Sequence, residues 1–113
     1  MDFIEERLER LEYYQALLLQ MVDTNRFPFY LLVMEKGLSK SEIEEIYQLL
    51  NGLEAIHEEQ KTQGLVIFTD LLTQFAGQLN SKLDVNETIQ ALYRQNLYPI
   101  LMSDLVELIK SSY

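Results

Sequence analysis

Apolar residues recur in this chain at steps of three and four over almost its whole length, a spacing that belongs to helices and not to alternating strands. The clearest run lies near the N-terminus. Ile4, Leu8, Leu11, Gln15, Leu18 and Val22 step by 4, 3, 4, 3 and 4. That is the a/d seam of a coiled coil, with one polar member at Gln15. Glu5, Glu6, Arg7, Glu9, Arg10 and Glu12 flank its first half. Tyr14, Leu17 and Met21 widen its second half, which is apolar on most sides and should be buried from several directions. A first helix is expected from Asp2 to about Asp23.

The few Gly and Pro residues punctuate the remainder of the chain. Thr24-Asn25-Arg26 breaks the pattern. Pro28 suits the first turn of a short helix, where its missing N–H costs nothing. The stretch from Phe27 to Met34 is almost wholly apolar and is expected at the centre of the core, with Gly37 as a left-handed cap. Ser39-Lys40-Ser41-Glu42 is a capping box, with Leu38 and Ile43 placed for a hydrophobic staple. It starts a long helix from about Lys40 to Gln63, with Ile43, Ile46, Leu50, Leu53 and His57 as its seam and Gly64 as its end.

Leu65-Val66-Ile67-Phe68 could pass for a strand but has no partner strand, and Leu65, Phe68, Leu72, Phe75 and Leu79 form a helical stripe. A helix is therefore expected from about Val66 to Asn80. Asp84 and Glu87 cap a fifth helix with Val85, Ile89, Leu92 and Tyr93 on its apolar face, and Asn96 as its C-terminal cap. Pro99 opens a last helix with Leu101, Leu105, Leu108 and Ile109 inward, and Ser111-Ser112-Tyr113 fraying. The expected fold is all-α. It is a bundle of about five to six helices, two of them long, forming one domain over residues 1–113 and intertwined in a homo-oligomer.

Composition excludes several function classes. No cysteine is present, which rules out disulfides, thiolate metal sites and thiol nucleophiles and fits a reducing cytoplasm. The longest apolar run, Phe29 to Met34, has six residues and falls far short of the roughly 20 that a membrane span needs. The acidic N-terminus lacks the basic region of a secretory signal. A formal net charge of −9 repels phosphate backbones and anionic membranes, so neither nucleic acid nor membrane is an expected partner. Gly37 to Glu42 resembles the entry to a DNA-reading helix. The helix after it presents Glu42, Glu44, Glu45 and Glu54, the wrong charge for phosphates, so a transcription-associated regulator is the weaker alternative. No nucleophile elbow and no phosphate-cradling glycine loop occur.

One constellation invites a metal reading. His57 is the sole histidine, and Glu54 stands three residues before it on the same helix face, as in the Glu-x-x-His pairs of di-iron bundles. One chain supplies one pair, so only a dimer would complete such a site. The competing reading is a surface histidine among Glu54, Glu58 and Glu59. The expected protein is thus not an enzyme and has no cofactor. It is a cytoplasmic helical protein that acts by contact, its main partner being itself, as dimer or trimer through the Ile4–Val22 seam, with another protein as a further partner. The alternative is a Glu54/His57 metal bundle.

Arg7-Leu8-Glu9-Arg10-Leu11-Glu12-Tyr13-Tyr14, the block from Pro28-Phe29-Tyr30 to Lys36-Gly37-Leu38-Ser39-Lys40, and the block from Phe75-Ala76-Gly77-Gln78-Leu79-Asn80 to Lys82-Leu83-Asp84-Val85 carry a resemblance. In these stretches the chain resembles the YhaI-like family of small uncharacterised proteins from Bacillus-type bacteria. The resemblance implies a helical, oligomeric, cytoplasmic protein. It implies no activity and no functional residues.

Overall fold

The computed structural model describes residues 3–111, and over these the chain is helical with no strand. Six helices follow one another: α1 (Phe3–Met21), α2 (Pro28–Glu35), α3 (Lys40–Thr62), α4 (Thr69–Gln78), α5 (Val85–Arg94) and α6 (Pro99–Ser111). The all-α expectation holds. The predicted helix start at Asp2 and the fraying of Ser112 and Tyr113 lie outside the described residues. Ser111 is the last residue of α6, its hydroxyl donating to the Leu108 carbonyl at 2.9 Å.

Local chemistry sets most of the boundaries. The Ser39 hydroxyl accepts from the Glu42 amide at 3.2 Å, and Glu42 Oε1 accepts from the Ser39 amide at 2.9 Å. This is the reciprocal box expected at the start of α3. Leu38 and Ile43 both lie half-buried against the core, where a staple would put them. Asp84 accepts from the Glu87 amide at 2.9 Å to start α5.

Three helices end in Schellman geometry, where two amides past the helix satisfy its last carbonyls. In α2, Leu38 donates to the Val33 carbonyl and Gly37 to that of Met34. In α3, Leu65 donates to Gln60 and Gly64 to Lys61. In α5, Leu97 donates to Leu92 and Asn96 to Tyr93. The left-handed residue is glycine twice, with φ of 68° at Gly37 and 84° at Gly64, and asparagine once, with φ of 61° at Asn96. Asparagine is among the side chains best suited to that conformation after glycine.

α2 solves its N-terminus by a route the sequence does not advertise. Phe27 precedes it and offers no side-chain cap. Gln95, at the far end of α5, reaches across, and its Oε1 accepts from the amides of Phe29 at 2.8 Å and Tyr30 at 3.1 Å. The distant glutamine thus satisfies the donors that a local Ser or Asp normally takes.

The core is built by α2 to α6. Phe29, Leu50, Leu71, Phe75, Leu92, Leu101 and Leu105 are among its fully buried members. α5 packs on α6 and α2, and α3 packs on α4 and α6. The core is wider than Phe27–Met34. That segment contributes Phe29, Leu32 and Val33, but Phe27, Tyr30 and Met34 stay exposed.

α4 corrects the expected helix from Val66 to Asn80. It begins at Thr69 and ends at Gln78, and residues 65–68 are irregular. Completing the Schellman turn commits Leu65 to a reversal, and the β-branched pair Val66-Ile67 disfavours an immediate helical restart. Both are exposed, at 82% and 74%, and only Phe68 turns inward. The stripe is accordingly Phe68, Leu71 and Phe75, with Leu72 and Leu79 half-buried and Leu65 outside.

α1 takes no part in the core. It buries no residue, and the molecule measures 64 Å along its long axis against 25 and 24 Å across. The expectation that its second half is buried from several directions is not met within the protomer: only Leu19 is half-buried. The expected end at Asp23 is also shorter, at Met21, so Val22 lies just past the helix.

Candidate functional site

Two polar residues sit on the apolar seams of the two long helices, and their surroundings differ. His57 on α3 is 1% exposed. Its Nε2 lies 2.7 Å from Asp104 Oδ2 on α6. A carboxylate accepts, so the ring donates from Nε2. Phe68 meets the other part of the ring edge-on at 4.6 Å between centroids, and Lys61 Nζ approaches the same Asp104 oxygen at 3.3 Å. The seam position is evident from spacing. The surface histidine among glutamates is the wrong alternative, because α6 and Phe68 cover the ring. Asp104, 47 residues away, has no sequence signal.

The metal reading finds a different geometry from the one it supposed. Glu54 stays half-buried on α3 while His57 turns to Asp104. Burial, and then the charge of Glu54, push the Tyr98 phenol above its ordinary range. Among the described residues no group of three or more His, Asp or Glu is arranged to hold a metal ion. A groove of about 440 Å³ runs past Glu54, His57, Glu58, Lys61, Thr62 and Ile100, open to solvent with mixed charge.

Tyr98 itself is unusual. It precedes Pro99, yet its φ is 49°, a left-handed backbone that costs a bulky residue of order 1–3 kcal/mol. Its hydroxyl donates to Asn51 Oδ1 at 2.7 Å, and its ring packs on the core, so α3 holds the turn into α6 in place.

Glu42 is the other polar junction. Besides capping α3, it accepts from Asn80 Nδ2 and Lys82 Nζ, each at 2.8 Å. The Lys82 ammonium, then the Ser39 amide and Asn80, hold its carboxyl down to about 2, well below the usual carboxylate range.

The predicted self-association residues all remain accessible. Ile4, Leu8, Leu11, Leu18 and Val22 are each more than two-fifths exposed, and Gln15 is exposed with them. Of the exposed large apolar residues among the described ones, ten lie between Phe3 and Val22, about a fifth of the chain, and the remaining described residues supply nine. Single exposed apolar residues are normal, whereas a contiguous set marks a contact surface. The set continues past the helix. Leu19, Val22, Phe27, Tyr30, Leu31 and Met34 line an almost purely apolar groove of about 260 Å³ where α1 meets α2. Phe27 and Tyr30 stack there with ring centroids 6.0 Å apart.

α1 contains 19 residues and little alanine. Helices of this kind owe their stability in water mainly to packing of an amphipathic face. No described helix is long and apolar enough to cross a membrane. What the chain offers chemically is therefore an exposed helical seam and a compact helical body. The family model described as a protein of unknown function, DUF1878, matches residues 1–110, and the chain belongs to that family.

Proposed function

We propose that this is a non-enzymatic protein that acts through protein–protein contact, and that it assembles with copies of itself, as dimer or trimer, through the α1 seam. The observation that carries this is the exposure of the seam: a patterned helix, Ile4 to Leu18, that buries nothing in its own protomer. Burying apolar surface yields roughly 25 cal/mol per Å². A second seam of the same kind is the surface that matches it best. The finer resemblance to the YhaI-like proteins of Bacillus-type bacteria supports the same reading, and the cysteine-free composition is compatible with the cytoplasmic setting proposed with it.

Light scattering on the full chain across a range of concentrations tests this. The expected mass is two or three times the 13.3 kDa of one chain. A mass of 13.3 kDa at all concentrations overturns it.

A further inference from the structure

We propose that the copies pair through α1 in parallel and in register, and that Arg7 and Glu12 select this orientation. The proposal rests on the self-association reading above and adds its geometry. The seam assigns Ile4, Leu11 and Leu18 to d positions and Leu8, Gln15 and Val22 to a positions. Glu5, Glu12 and Leu19 then fall at e, and Arg7, Tyr14 and Met21 at g.

In a parallel pair, each g residue faces the e residue five places on in the other chain. Arg7 meets Glu12 of the partner subunit, and Tyr14 meets Leu19 of the partner subunit. Charge meets opposite charge and apolar meets apolar. In an antiparallel pair with the seams fully overlapped, g faces g and e faces e. Arg7 then meets Met21, Glu5 meets Leu19, and Glu12 meets Glu12. Tyr14 alone meets a like side chain, its own copy, and the other three contacts are mismatched.

A second observation points the same way. The seam is lopsided, flanked by charge in its first half and apolar on most sides in its second. It runs on into the apolar groove with Phe27, Tyr30 and Met34. Parallel pairing brings the two broad apolar ends together, so the grooves of both copies lie beside each other and close against a like surface. Antiparallel pairing sets each broad end against the partner's charged end. Gln15 adds a third reason: at an a position it meets its own copy only in the parallel arrangement, where the two side-chain amides can bond to each other.

The chain has no cysteine, so one introduced thiol reports orientation cleanly. In Leu8→Cys, parallel pairing sets the two sulfurs at facing a positions, within disulfide reach. Antiparallel pairing separates them by about 15 Å along the axis, at about 1.5 Å per residue. Mild oxidation of the full chain should convert it to a disulfide-linked dimer on a non-reducing gel. The charge variants keep the proposal open to failure if that thiol perturbs folding. Arg7→Glu should raise the dissociation constant roughly tenfold, and adding Glu12→Arg should restore it, with less effect at high salt. An oligomer by light scattering that forms no Leu8→Cys disulfide, or that the double charge reversal fails to rescue, overturns the parallel arrangement and leaves self-association standing. A monomeric wild-type chain overturns both.

Discussion

The two long helices, α1 and α3, are written in nearly the same pattern and end in opposite situations. Each carries an apolar seam at steps of three and four with one polar member. The seam of α3 is sealed by α4 and α6, and its polar member, His57, finds Asp104 inside the same protomer. The seam of α1 faces outward, and Gln15 is exposed with it. The periodicity of a seam thus specifies that it is to be covered. The cover itself is chosen by what the remainder of the chain can bring up to it. α3 is followed by apolar faces on α4 and α6, whereas no described element of the protomer covers the α1 seam.

The contrast can be broken first at the seams themselves. Leu50→Ala removes a fully buried side chain between helices and should lower the unfolding free energy by about 2–5 kcal/mol in a denaturant titration, at any protein concentration. Leu11→Ala should leave the dissociated protomer's stability nearly unchanged and instead raise the dissociation constant by roughly tenfold or more, read by sedimentation. Equal, concentration-independent losses in both variants would mean that α1 is a core helix after all.

The polar members come next. His57→Ala empties a buried site and removes the closer of the two partners of Asp104, leaving Lys61, a loss of about 2–3 kcal/mol in the same titration. Gln15→Leu should act in the reverse sense. It should strengthen the assembly by about 1 kcal/mol while allowing other registers, seen as a broader distribution of oligomer masses.

The smallest effect sharpens how α3 is anchored at its start. The folded-state pKa of Glu42, about 2, lies below its ordinary 4.5, so its ionised form favours the folded chain. That contribution is complete above about 4.5 and disappears as the pH falls toward 2. The stability gap between the wild type and Glu42→Gln should therefore close over that interval. A gap unchanged between about pH 5 and about pH 2.5 would show that Asn80 and Lys82 do not grip the carboxylate in solution.

Local signals are legible where they are self-contained. The box at Ser39 and Glu42, the cap at Asp84 and the left-handed exits at Gly37, Gly64 and Asn96 each need only a few neighbouring residues, and all form as the spacing predicts. The start of α4 is not legible, because the apolarity of residues 65–67 mimics a helical stripe while their backbone preference opposes one. Long-range partners are out of reach altogether. Nothing near Phe27 announces Gln95, and nothing near His57 announces Asp104. The seam residues of α1 can be picked out from spacing alone. Their exposure cannot, since spacing records a preference for burial and is silent on which chain provides it.

The Gln95 side chain also governs how the molecule opens. α2 has eight residues, too few to persist as a helix in water. Its first free amides are held by the residue that closes α5, and its inner face by the shared core. The two helices, separated in the chain by the whole of α3 and α4, are therefore expected to open as a unit. In hydrogen exchange, the Phe29 and Tyr30 amides serve as reporters on the fraying of α5. Any ligand or partner that stiffens the C-terminal end of α5 will slow them, even though it touches nothing in α2.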